Sequence, residues 1–177
     1  MPDSRPFKSA RVAVALALLC AGSVQAAAPT VTIEIPRLSV AEYHRPYTAI
    51  WLEDGAQRFV ANLAVWYDVK QPNKKGNEWL KDMRQWWRKS GRTLDMPVDG
   101  ISGATRPPGE HRLAFDGNAA PWKDLAPGEY RLVVEAAREV GGRELIAVPF
   151  RWPVEAPQRL EASGEHELGK IVLEFTP

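Results

Sequence analysis

Phe59-Val60-Ala61-Asn62-Leu63-Ala64-Val65-Trp66-Tyr67 places Phe59, Ala61, Leu63, Val65 and Tyr67 at period two, with Asn62 and Asp68 on the other face. That alternation predicts a β-strand. Upstream, Asp54-Gly55 supplies a turn. Residues 43–53, dense in Tyr47, Ile50, Trp51 and Leu52, read as the strand against which the stretch folds back. Before them, Val31, Ile33 and Ile35 alternate with Thr32 and Glu34, predicting a first strand over 29–35 with one buried face.

Downstream the pattern returns. Residues 111–115, 130–137, 144–152 and 168–175 read as strands, and Gly141-Gly142 is a hairpin turn between two of them. Short strands with a turn about every ten residues predict a mainly β fold. The expected architecture is an antiparallel immunoglobulin-like β-sandwich of about seven to eight strands with one inserted amphipathic helix. That helix is placed at 78–89, capped by Asn77. Trp79, Leu80, Met83, Trp86 and Trp87 form its apolar face, with Lys81, Asp82, Arg84, Gln85 and Arg88 opposite. Neighbours on a helix point about 100° apart, so one of Trp86 and Trp87 is a candidate surface for stacking a flat ring. Trp51, Trp66 and Trp152, on strands, are expected in the core.

The N-terminus carries Arg5, Lys8 and Arg11, then the apolar run from Val12 to Leu19, then small residues through Ala28. This layout predicts a secretory signal peptide over 1–26 and one periplasmic domain over 27–177. Leu19 is too bulky for a lipid-anchor site at Cys20. Cleavage removes the only cysteine, so the mature domain has no thiol chemistry or disulfide. It also removes three of 23 basic and one of 22 acidic residues, leaving 20 against 21. Near-zero charge argues against a nucleic-acid surface, and no later run predicts membrane insertion of the mature chain.

Familiar catalytic signatures are absent: there is no phosphate-binding glycine loop, no H-E-x-x-H and no G-x-S-x-G elbow. His44, His111 and His166 are far apart in sequence, so no metal site is predicted. Asp99-Gly100-Ile101-Ser102-Gly103-Ala104-Thr105 holds one carboxylate, two hydroxyls and no base or thiol. By itself it reads as a polar turn. Arg106 and Arg112 beside it are candidates for holding a phosphate.

The order of this run resembles the acceptor site at which bacterial flavin transferases attach FMN through a phosphoester to the last threonine. In that pattern an Asp and two variable residues precede Ser or Thr, Gly, Ala, and Thr or Ser. The resemblance implies covalent FMN at Thr105, with Asp99, Ser102, Gly103 and Ala104 as the other cofactor-site residues; Trp86, Trp87 and Arg106 are added as neighbours. Asp99 is expected to orient the hydroxyl or to bind the transferase's metal. Residues 109–136, through Phe115-Asp116-Gly117 and Leu125-Ala126-Pro127-Gly128-Glu129-Tyr130, resemble the immunoglobulin-like domain of flagellar hook-capping proteins.

The chain from 29 to 177 also resembles a family of predicted periplasmic proteins classed as a domain of unknown function. The matching runs include His44-Arg45-Pro46-Tyr47, Trp79 through Arg88, Val98 through Gly109, and Glu135-Ala136-Ala137-Arg138-Glu139. Members look like companions of flavin transferases and PepSY-type membrane redox proteins. The resemblance implies a flavinylated periplasmic electron carrier rather than a turnover enzyme. The alternative is a cofactor-free immunoglobulin-like binding module whose aromatic helix docks a partner.

Overall fold

The computed structural model describes residues 28–176. The predicted leader and Cys20 lie outside the described residues. Among the described residues nine strands form two sheets. The first has the order β5-β1-β9-β8 and comprises β1 (Ala28–Ile35), β5 (Gly109–Ala114), β8 (Gln158–Ser163) and β9 (Lys170–Thr176), all antiparallel. The second has the order β4-β3-β2-β6-β7. It comprises β2 (Tyr47–Asp54), β3 (Phe59–Tyr67), β4 (Ser102–Ala104), β6 (Gly128–Ala137) and β7 (Arg143–Trp152). Only the β3–β4 pair in it is parallel. The mainly β sandwich is as expected. Two strands, β4 and β8, had not been read from the sequence; β8 is an edge strand whose only half-buried side chains are Leu160 and Ala162.

The space between the sheets is filled by Ile33, Ile50, Leu132, Val148 and a knot of aromatics. Trp122 is the centre of that knot, with ring centroids 5.8–6.0 Å from Phe115, Phe150, Trp152 and Phe175. Tilted and edge-on packing of this kind adds to the large area each ring buries. Tyr130, at the start of β6, donates its hydroxyl to the Ala126 carbonyl at 2.8 Å and pins the turn that leads into the strand. Trp51, Trp66 and Trp152 are all buried.

Much of the outer face of the five-stranded sheet, over β2, β3 and part of β6, is also buried. Residues 68–101 cross it and enclose a second core of Ala49, Trp51, Val65, Tyr67 and Val133 beneath Leu80, Met83 and Trp86. This changes the reading of β3. Strict alternation put Leu63, Val65 and Tyr67 on one face, but Leu63 packs between the sheets and Val65 and Tyr67 pack outside. The pairing with β2 shifts register between Ile50 and Trp51, so Leu63 is the extra residue of a bulge that inverts the phase.

The single helix expected over 78–89 is replaced by two pieces. Pro72–Asp82 is wound as 3-10 turns, with Asn73 and Lys74 in left-handed conformation (φ 55° and 56°), and α1 spans only Arg84–Lys89. Met83 (φ −76°, ψ 73°) separates them. Asn77 caps nothing; its amide donates to the Met96 carbonyl at 3.4 Å. The cap comes from the sheet instead. The carboxylate of Glu135, fully buried on β6, accepts the backbone N–H groups of Gln85 (3.0 Å) and Trp86 (2.7 Å) and the Arg143 guanidinium (2.6 Å). These orphan amides of the first helical turn are thereby satisfied.

Glu53 plays a similar part on β2, accepting Trp51 Nε1 at 2.8 Å, Lys89 Nζ at 2.7 Å and Arg131. Burial pushes the Glu53 carboxyl up, but the hydrogen bonds from Lys89, Arg131 and Trp51 outweigh it and leave it below the usual range. Glu144 accepts four successive backbone N–H groups, Glu165 to Leu168, at 2.7–3.1 Å. Burial raises it too, and those four bonds bring it below the usual range.

Glu135→Ala is expected to cost about 2–4 kcal/mol in urea unfolding, because it strands two amides and a guanidinium, the figure being moderated by the partial exposure of Arg143. Glu53 and Glu144 are depressed in the folded state, so the unfolded chain binds more protons in acid. Their stabilisation is complete above the unfolded glutamate pKa of about 4.3 and is lost as pH falls through the lower folded values. Glu144→Gln should therefore lower stability at pH 7 and flatten its decline below about pH 4, measured as unfolding midpoints against pH.

Candidate functional site

Residues 99–105 are a turn followed by a strand. Asp99 and Gly100 (φ +80°) are exposed at the tip. Ser102 closes the turn, donating its N–H to the Val98 carbonyl (3.0 Å) and accepting the Val98 N–H on Oγ (2.8 Å). Ser102-Gly103-Ala104 then forms β4, the edge of the five-stranded sheet, and the pairing continues as the Thr105 N–H donates to the Tyr67 carbonyl at 3.2 Å.

The composition of the run follows from this placement. A Cβ on Gly103 would lie 3.2 Å from Trp66 Cδ1, so glycine lets the edge strand sit tightly over that ring. Arg106 lays its guanidinium over the Trp66 ring, 5.1 Å from the centroid, a cation–π contact. Its Nε is buried without a partner. Asp99, exposed in the turn before β4, does not line the cleft that Thr105 lines.

Thr105 forms part of the wall of a cleft of about 310 Å³ at the end of the sheet. Three aromatic side chains, Tyr43, Tyr47 and Trp79, line it, with Gln71, the carboxylates Asp68, Asp82 and Glu139, and one guanidinium, Arg45. The Tyr47 and Tyr67 rings meet edge-on at 6.1 Å, which ties the cleft to the strand that holds Thr105. Burial pushes the Tyr47 phenol up to about 12, with the Asp68 charge adding to the rise and the Asp68 backbone hydrogen bond opposing it. Burial likewise raises Tyr43. Both phenols keep their protons at any physiological pH. Tyr43 Oη and Gln71 Oε1 are buried with no hydrogen-bond partner. His44, also on the cleft, lies 3.0 Å from Glu42 and 3.6 Å from Glu139.

Trp86 and Trp87 are placed elsewhere. Trp86 is fully buried, its ring 2.5 Å from where a Cβ on Gly91 would stand and its Nε1–H donated to Asn62 Oδ1 at 2.8 Å. It offers no free face. Trp87 is half-buried beside it, with ring centroids 6.3 Å apart. Neither lines the cleft. Trp79 does, because 3-10 winding repeats every three residues. Leu80 and Met83 then share the buried side, while Trp79 and Asp82 share the cleft side. A helix with 3.6 residues per turn had put Trp79 with the buried tryptophans.

Sequence reading did not single out Tyr43, Tyr47, Gln71 or Trp79 as a group; they come from three segments, and no local spacing signals their meeting. His44 is on the cleft, His111 packs edge-on to Trp66, and His166 is in the β8–β9 connection. Among the described residues no group of three or more His, Cys, Asp or Glu is arranged to hold a metal, and no helix is long and apolar enough to cross a membrane.

These features define a class: a two-sheet β-sandwich with a covered outer face and an aromatic, acid-rimmed cleft beside an edge strand. The chain belongs to the family described as "Predicted periplasmic protein (DUF2271)", whose model matches residues 28–170. No curated protein and no solved structure gives a significant match.

Trp86→Ala should cost about 3–5 kcal/mol in chemical denaturation, the range for emptying a buried aromatic site. Trp87→Ala should cost less than half as much, and equal losses would contradict the placement of the two rings.

Proposed function

We infer that this protein is a periplasmic electron carrier with FMN joined by a phosphoester to Thr105. The observation that carries the reading is the position of Thr105, directly after an edge strand and on the wall of a cleft of the right chemical character. Small-molecule pockets begin at about 300 Å³ and combine apolar walls with a few polar groups. The cleft meets that description: Tyr43, Tyr47 and Trp79 supply apolar surface and Gln71, Thr105 and three carboxylates supply polar groups. The family's periplasmic description agrees with the location.

FMN supplies reversible electron transfer when bound; the protein positions it. On the outer side of β4 no strand follows, so a transferase can reach the acceptor run in the folded protein. Exposed Asp99 is available to a metal carried by that enzyme. Attachment requires an activated donor, a flavin dinucleotide. The Thr105 oxygen forms a bond to the FMN phosphorus as the pyrophosphate bond breaks, the nucleoside monophosphate leaves, and the hydroxyl proton passes to a base of the transferase. A tethered ring meets its own protein at an effective concentration near mM. Docking worth only about 4 kcal/mol then holds it, so no glycine-rich phosphate cradle is needed. PepSY-type membrane redox proteins are the electron partners this reading calls for.

The cofactor-free docking module is less well supported, because the aromatic face it needs exposed is turned onto the sheet through Leu80, Met83 and Trp86. Co-expression with a flavin transferase should add the mass of FMN less one water to the wild type, seen by intact mass and as a fluorescent band under denaturing conditions. Thr105→Val should lose the adduct and Thr105→Ser retain it. A wild type without adduct, beside an acceptor protein that the same transferase does modify, overturns the reading.

A further inference from the structure

We propose that the cleft bounded by Tyr43, Tyr47, Gln71 and Trp79 is where the three-ring system of the attached flavin docks, with its phosphate left outside on Thr105. This rests on the covalent-FMN reading and adds to it a site, an orientation and residues that the sequence motif does not contain.

Two properties of the site favour the orientation. The first is charge. Asp68, Asp82 and Glu139 outnumber the one guanidinium on the wall, Arg45, so the cleft as a whole disfavours a phosphate dianion while tolerating a neutral ring. Arg106, next to the attachment point along the chain, is on Trp66 rather than on the cleft wall and offers the phosphate a counter-charge outside it. The second is the match of polar groups. A flavin ring has flat apolar faces and a pyrimidine edge with one N–H between two carbonyls. Trp79 and the tyrosines supply apolar surface for the faces. Gln71 and Tyr43 on the wall carry an acceptor and a donor of the types this edge needs; Gln71 Oε1 and Tyr43 Oη are buried behind the surface without a partner, so docking would turn each toward the ring.

The position of Trp79 makes the idea measurable, since an indole in contact with a flavin quenches its emission. Wild type, Trp79→Ala and Trp87→Ala are each co-expressed with a flavin transferase, checked by intact mass and far-ultraviolet circular dichroism, and compared in flavin emission per adduct, folded and after proteolysis. The docking predicts that folded wild type emits several-fold less than its own digest. Trp79→Ala should recover most of that emission and Trp87→Ala almost none of it. Gln71→Leu, a smaller perturbation, should shift the flavin absorption bands of the folded protein. Absence of the adduct from wild type defeats the covalent reading and the docking with it. An adduct whose folded emission equals that of its digest, or is unchanged by Trp79→Ala, overturns the docking alone. Should Trp79→Ala fail to fold, unshifted bands in Gln71→Leu overturn it equally.

Discussion

The carboxylate of Glu135 holds the outer layer of this protein to its sheet. It is fully buried, and its partners are two amides of α1 and a guanidinium from the neighbouring strand. A buried charge without such partners would cost several kcal/mol, so the chain segment that supplies them is fixed in one place. Glu53 repeats the arrangement at the far end of α1 through Lys89. Six residues of helix, too short to persist alone, are held at both ends by the sheet they cover.

That attachment decides where the cleft lies. Fixing α1 fixes Met83, where the backbone changes course, and so fixes the 3-10 segment that presents Trp79 and Asp82. A Cβ on Gly76 would lie 2.2 Å from the Asp68 carbonyl, so glycine also lets this segment press against the end of β3. The same end of β3 receives the Thr105 N–H through Tyr67. Edge strand β4, aromatic wall and acidic rim are thereby parts of one packed unit rather than separate loops.

The two-sheet fold was legible because its signal is local. Val31, Ile33 and Ile35 alternate with polar neighbours, and Gly141-Gly142 stands where β6 turns into β7. The failures came where a non-local interaction overrode a local period. Leu63 changed faces at a bulge set by pairing with β2, and both faces of β3 found cover, so alternation no longer marked inside from outside. Trp79 parted from Trp86 because the segment wound as 3-10 turns, a choice made by packing under Gly76 and Leu80 rather than by helix propensity. Ser102-Gly103-Ala104 looked like a turn because three small residues carry little strand propensity, yet the open edge of β3 recruited them.

By itself, then, the sequence determined the strand-rich class, most strand positions and the order of residues in the acceptor-like run, since each depends on neighbours within a few positions. Tertiary structure alone decided that Trp86 is core and that Tyr43, Tyr47, Gln71 and Trp79, but not Asp99, share a cleft with Thr105. The physical reason is the separation of the contributing segments along the chain: contacts between residues 43–47, 71–82 and 105 form only when two sheets and their buried carboxylates bring them together, and no period in the chain encodes that meeting.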